Sequence, residues 1–215
     1  MLNILGNQNS IVNQYIAELR DVEVQRDRLR FRKNLERLGE IFAYEISKHL
    51  PYTIQDVTTP LGIASVPVLE RQPIIGTILR AGIPFHQGFL NIYDRADNAF
   101  ISAYRKDHKD GSFEIKLDYV STPRLDNRVL ILSDPMVATG SSIVAAYKTL
   151  LERGTPGQTH IVAAVASSEG VTYLRSHLSA EVTLWVGAVD EELTAQAYIV
   201  PGLGNVGDLA YGGKF

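Results

Sequence analysis

From residue 74 onward, short apolar runs alternate with stretches of helical periodicity, and this alternation restricts the chain to a small group of folds. Ile74 to Leu79 reads as a buried strand, Ile83 to Asn91 as a helix, and Ala99 to Tyr104 and Val129 to Leu132 as two further strands. Thr139 to Arg153 reads as a helix closing at Gly154, followed by strand His160 to Ala166, a short helix Val171 to His177 and strand Val182 to Val186. Strand and helix in regular succession imply βαβ units, and therefore an α/β fold whose mainly parallel sheet is flanked by helices on both faces. Open parallel sheets bind ligands beyond the carboxyl ends of their strands. The loops after Leu79, Tyr104 and Ser133 are where a site is expected.

Three segments lie outside the alternation. The first fifty residues read as helical: from Arg26 to Leu50 the residues Leu29, Leu35, Leu38, Ile41, Phe42 and Ile46 recur at spacings of three and four, and Pro51 ends the pattern. Lys106 to Arg128 is polar and carries Asp110-Gly111, a hairpin turn signal, between short alternating stretches. It is expected to form a mobile β-arm or flap. Tyr198 to Gly213 holds five glycines, which argues against a helix and makes a poor strand, although the apolar Ile199 to Leu203 lead-in reads as packed. With no internal repeat, the expectation is one domain over residues 1–215, with an N-terminal helical segment (1–52), a flap (105–128) and a C-terminal hood (187–215).

Composition removes several function classes. There is no cysteine, so disulfides and thiolate catalysis are excluded. A net charge of −3 and a pI near 6.0 argue against a nucleic-acid partner, which normally calls for a basic face. No run approaches the roughly 18 to 20 apolar residues of a membrane helix, and Met1 to Ser10 lacks the basic and apolar regions of a secretory signal. No membrane partner and a cytoplasmic location are expected. The histidines at 49, 86, 108, 160 and 177 are scattered and none has zinc-type spacing. Metal hydrolysis has no support.

The segment richest in chemistry is Arg128 to Ile143, RVLILSDPMVATGSSI. An apolar strand runs into Asp134, Pro135, Met136, Val137 and Ala138, and then Thr139, Gly140, Ser141 and Ser142 open a helix. Successive backbone N–H groups and the positive end of that helix make a concave anion site. Gly140 permits close approach of a phosphate, and the hydroxyls of Thr139, Ser141 and Ser142 add donors. Asp134, at the strand end, is an acceptor suited to the diol of a ribose. A plain strand–turn–helix with a Thr or Ser cap uses the same residue types. No GxxxxGK is present, so this is not an ATP- or GTP-hydrolysing loop. A second segment, Thr77 to Gly82, sets Arg80 at a strand end, where a guanidinium fork suits phosphate oxygens.

These motifs resemble those of the type I phosphoribosyltransferases, whose signature for phosphoribosyl pyrophosphate (PRPP) is an apolar strand, an acid and Thr-Gly before a helix. The form DPMxATGSS, with proline after the acid, resembles the uracil-specific branch, where DPMLATGGS is usual. LRAG at 79–82 matches that branch, and Arg105 in SAYRKD matches a second PRPP-contacting arginine. Tyr198 to Leu209, YIVPGLGNVGDL, is similar to the branch's uracil-binding tail, usually YIVPGLGDAGDR. The N-terminal LERLGEIFAYEISKHL and Ser168-Glu169-Gly170, where Pro-Glu-Gly is usual, match more weakly, so that the resemblance covers nearly the whole chain.

The resemblance implies a transferase joining uracil to the ribose of PRPP to give UMP and pyrophosphate. It implies that Arg80, Arg105 and Asp134 are catalytic, that residues 134–142 and Asn205 also contact PRPP, and that Ile199, Gly204, Asn205 and Val206 line uracil. Mg²⁺ would be held mainly through PRPP, and a homodimer or larger homo-oligomer is implied, with GTP an effector in some relatives. A backbone loop can pair with the edge of uracil, whereas cytosine would face one N–H with another. That mismatch costs roughly 1–3 kcal/mol, or about ten- to a hundredfold per contact. Three positions depart from the pattern. Asn205 stands for Asp, Leu209 for Arg and Ser141 for Gly; Asn205 gives a motive for the alternative of a PRPP- or nucleotide-sensing regulator with weakened turnover.

Overall fold

The computed structural model describes residues 1–107 and 113–213, with side chains described outside 104–115. The chain opens with β1 (Leu2–Ile4), α1 (Ile11–Arg20) and α2 (Arg28–Ser47). A hairpin of β2 (Tyr52–Thr59) and β3 (Gly62–Leu69) follows. Then come β4 (Ile74–Leu79), α3 (Ile83–Ile92), β5 (Asp97–Asp107), β6 (Phe113–Ser121), β7 (Val129–Ser133), β8 (Met136–Val137) and α4 (Ser141–Leu151). The last part holds β9 (Gln158–Ser167), α5 (Ser168–His177), β10 (Thr183–Asp190), β11 (Glu192–Leu193), β12 (Ile199–Val200) and α6 (Val206–Tyr211).

The main sheet runs β1-β10-β9-β7-β4-β5-β6, with β8 also on β9, and every pairing in it is parallel except β5 with β6. Both faces are covered, and the two-residue period of each strand divides the core between them. Ile75, Ile131 and Val162 pack with Phe31, Leu35, Phe42 and Phe85 of α2 and α3. Ile74, Leu130, Leu132 and Ile161 pack with Ile143, Leu150 and Leu174 of α4 and α5. Burial on both sides is why these strands read as unbroken apolar runs. Among the described residues no helix is long and apolar enough to cross a membrane.

Several expectations need correction. The first fifty residues are not all helical: Leu2–Ile4 is an edge strand, in register with Leu184–Val186. The helix read over 26–50 spans Arg28–Ser47, capped by the Asp27 side chain on the N–H of Arg30. Leu29, counted in its apolar stripe, is exposed in the first turn. The expected flap has its base inside the main sheet, as the antiparallel pair β5–β6. Its turn signal, Asp110-Gly111, lies outside the described residues. The hood begins after Asp190, since residues 187–190 finish β10.

One buried titratable group bears on stability. His160, on β9, accepts a hydrogen bond at Nδ1 from the Trp185 indole (3.0 Å), and its Nε2 is buried without a partner. Burial, and then the nearby His49, hold its pKa down at about 4. Its folded pKa therefore lies below its unfolded value of about 6.5, so the stabilisation is complete above pH 6.5 and is lost as pH falls toward 4. At about 1.4 kcal/mol per pH unit, wild type is expected to lose about 3 kcal/mol across that window relative to His160→Gln. Urea melts of both proteins at pH 7.5 and pH 4.5 measure that difference, and parallel pH profiles would contradict it.

Candidate active site

Chain order reverses between β4 and β7. From β4 the chain steps to β5 and β6 on one side, then returns to lay down β7, β9 and β10 on the other. Such a switch point leaves a crevice beyond the carboxyl ends of the two strands. Thr77 and Ser133 face each other in register there, and Arg80 and Asp134 follow directly after β4 and β7.

Asp134 starts the segment that leads from β7 to α4. Its N–H donates to the Val162 carbonyl (3.0 Å), and its Oδ1 accepts from the N–H of Met136 (3.3 Å). Burial pushes its carboxyl up to about 7, and the Met136 N–H offsets part of the rise. Pro135 and Met136 are bound to β9: the Pro135 carbonyl accepts from the N–H groups of Ala164 and Val165, and Met136–Val137 pair with Val165–Ala166. Thr139 Oγ1 lies 2.8 Å from Ser141 Oγ, and Gly140 caps α4 with φ +80°. A side chain at Gly140 would be strained by that φ and would meet the Gly170 carbonyl at 3.1 Å and the Tyr173 ring at 3.2 Å. Ser141 and Ser142 are already helical, so the departure from glycine at 141 carries no backbone penalty.

Arg80 reaches the tail. Its Nη2 donates to Asp208 Oδ1 (3.2 Å), and both Nη atoms lie 3.4–3.5 Å from the Gly212 carbonyl. Its Nε is buried with no partner. The tail itself corrects the expectation of no helix, because α6 spans Val206–Tyr211. Glycines with positive φ at 204 and 212 bracket that helix, leaving only Gly207 inside it. Asn205 caps it, accepting the Asp208 N–H on its side-chain oxygen (3.2 Å). Ile199, Leu203 and Val206 are buried in the main core, and Leu209 packs against it. An apolar side chain thus has a place at 209.

Of the expected site residues, Arg80 and Asp134 to Ser142 follow the adjacent strands β4 and β7, and Asn205 caps the tail helix whose Asp208 pairs with Arg80. Ile199, Gly204 and Val206 belong to the tail docked on Arg80. Arg105 lies on β5, and its side chain falls outside the described residues. Two residues of the arrangement were missed by the sequence reading. Asp208 pairs with Arg80. Ser167, fully buried at the end of β9, donates to the Ala138 carbonyl and accepts the N–H of Gly170, fastening the loop to α5. A strand ending in Ser ahead of a Glu-Gly helix start was the available signal.

Among the described residues no group of three carboxylates or histidines is arranged to hold a metal.

The chain is similar to known proteins along nearly its whole length. The family model for uracil phosphoribosyltransferase matches residues 6–213. The uracil phosphoribosyltransferase of Porphyromonas gingivalis is 50% identical over 210 residues, covering 98% of this chain and 97% of its own. That of Pyrococcus furiosus is 35% identical over 204 residues, covering 94% and 86%. A solved structure from Aquifex aeolicus has a TM-score of 0.88 at 29% identity, over 99% of this chain and 98% of that one. A hypoxanthine phosphoribosyltransferase from Staphylococcus aureus, with TM-score 0.50 and 11% identity over 75% of this chain and 76% of its own, shares the fold.

Proposed function

Because this chain belongs to the uracil phosphoribosyltransferase family, we propose that it joins uracil to the ribose of PRPP, forming UMP and releasing pyrophosphate in pyrimidine salvage. The observation that carries this reading is the docking of the glycine-rich tail on Arg80 at the switch point, one strand from the 134–142 loop. A base held by the tail and a sugar phosphate held by the loop would then meet over the ends of β4 and β7.

In this proposal the bond from ribose C1 to the pyrophosphate oxygen breaks while N1 of uracil closes on C1 from the opposite face, the bonding electrons leave with pyrophosphate, and the N1 proton passes to solvent water. The ribose passes through an oxocarbenium-like state, so no covalent nucleophile is required. Backbone N–H groups of 137–142 and the α4 N-terminus hold the 5′-phosphate. Asp134 accepts from the ribose hydroxyls and lies beside the developing positive charge. Arg80 turns its fork from Asp208 to the pyrophosphate, and a phosphate oxygen would satisfy its unpartnered Nε. Arg105 is assigned to pyrophosphate only from the resemblance of SAYRKD to the family's motif. A Mg²⁺ ion on the diphosphate would neutralise leaving-group charge. Catalysis comes from positioning and electrostatics.

The sensor alternative rested on Asn205. Its side-chain oxygen serves as a helix cap, a role Asn and Asp fill about equally. That supports retained tail geometry and favours the enzyme. Incubating the protein with PRPP, Mg²⁺ and uracil is expected to yield UMP and pyrophosphate. Saturable PRPP binding without UMP would overturn this reading, and turnover of hypoxanthine in place of uracil would mean the tail takes another base.

A homo-oligomer completes the proposal. The β2–β3 hairpin exposes Ile54, Leu61 and Ile63, with Leu61 99% exposed. A lone two-stranded hairpin is marginal in water, and a second copy of this chain would cover it. Replacing Leu61 by Glu and Ile63 by Lys is expected to lower the mass in light scattering to one 23.8 kDa chain. An unchanged multiple mass would remove the hairpin from the interface.

A further inference from the structure

Besides those of Arg80, hydrogen bonds that hold the tail come from elements with no assigned part in the reaction. Asp190 ends β10 at the carboxyl edge of the sheet, buried, and Arg20 is the last residue of α1. Their side chains form a two-point ion pair, Arg20 Nη1 to Asp190 Oδ2 and Nη2 to Oδ1, each 2.8 Å. The pair also holds both backbone polar groups of Gly202. Asp190 Oδ2 accepts the Gly202 N–H (2.9 Å), and Arg20 Nη1 donates to the Gly202 carbonyl (2.8 Å). Gly202 has φ +57°, and a Cβ there would collide with the Ile199 carbonyl, so the turn has no room for a side chain at 202. At the other end of the tail, Arg32 of α2 donates to the Ala210 carbonyl (2.9 Å).

We propose that Arg20 and Asp190 are positioning residues for the base: together they fix the Gly202 turn, and through it the backbone groups of Ile199 and Gly204 to Val206 that read the pyrimidine edge. This rests on the base-binding role proposed above for the tail. It extends that role to a second tier, in which the N-terminal helices set base recognition. The 134–142 loop is fastened separately, through β9 and Ser167. The hydrogen bonds of the Arg20–Asp190 pair go to the tail and not to that loop, although Asp190 lies beside Ser167 in the sheet, so loss of the pair falls first on the tail. A two-point guanidinium–carboxylate contact adds geometry as well as energy, so lysine is not an equivalent replacement for Arg20.

The test is steady-state kinetics for both substrates on Asp190→Asn, Arg20→Lys and Arg20→Gln, with PRPP–Mg²⁺ binding measured by calorimetry. Wild-type turnover of uracil is the control that tests the underlying reading by itself. Given that turnover, Asp190→Asn and Arg20→Gln are expected to raise KM for uracil at least tenfold, with PRPP affinity within about twofold of wild type. Arg20→Lys is expected to fall between them and wild type. The double variant Arg20→Gln with Asp190→Asn is expected to cost little more than either single change, because both break one unit. If Asp190→Asn fails to fold, Arg20→Lys carries the same comparison. KM for uracil unchanged, or KM for both substrates raised together, would overturn the proposal.

Discussion

Arg80→Ala is expected to lower kcat/KM by about 10²- to 10³-fold while leaving the melting curve close to that of wild type. The two halves of this expectation have separate causes. Without substrate, the Arg80–Asp208 pair is 36% and 39% exposed at 3.2 Å, and ion pairs of that exposure contribute about 0–1 kcal/mol. In the reaction, the same guanidinium faces charge that grows on the departing pyrophosphate, in a crevice where removal of one oriented donor costs about 3–4 kcal/mol. Lysine at 80 restores charge without the fork and is expected to recover part of the loss. Kinetics with PRPP varied at saturating uracil, beside a thermal melt, separates the causes. Wild-type kinetics in Arg80→Ala would remove Arg80 from the site, and a collapsed melting curve would make it a structural residue.

Asp134→Asn is expected to cost about 10²- to 10⁴-fold in kcat/KM, because hydrogen bonds to a charged acceptor are worth about 1.5–3 kcal/mol each and two ribose hydroxyls are in question. The pH dependence gives this prediction its sign. The free carboxyl titrates at about 7 because burial disfavours its charge. PRPP requires the ionised form, so wild-type affinity is expected to rise as pH increases from about 6 to 8. PRPP phosphates titrate near pH 6 as well, but they do so equally for both proteins. The ratio of wild-type to Asp134→Asn affinity is therefore the quantity to follow. It is expected to climb toward pH 8, and a ratio flat with pH would mean that the Asp134 charge is not used.

The legible parts of the sequence were those set by burial on both sides of the sheet. Ile74–Leu79 and Val129–Ser133 read as strands because each carries apolar side chains toward two helical layers at once. The strand, loop and helix at Asp134–Ser142 were legible because Gly140 and its hydroxyl neighbours mark a helix start after an apolar strand. The β2–β3 hairpin did not read as strand: both of its faces are exposed, so no alternation marks a buried side, and its pairing is purely local. Leu2–Ile4 becomes a strand only by parallel pairing with residues 184–186. The helix α6 was hidden by a glycine count that ignored position, since the glycines lie mostly at its ends. The parts played by Ser167 and Asp190 depend on bonds to Ala138 and Gly202, neither of which local sequence can show.

The central claim is that residues 134–142 hold the sugar phosphate while the tail holds the pyrimidine beside it. A crystal structure of the protein with UMP tests it most directly. The expected result is the 5′-phosphate within hydrogen-bond distance of the N–H groups of 138–142, with the uracil edge on the backbone of Ile199 and of 204–206. A nucleotide whose ring lies away from the tail, with its phosphate outside the loop, would contradict it.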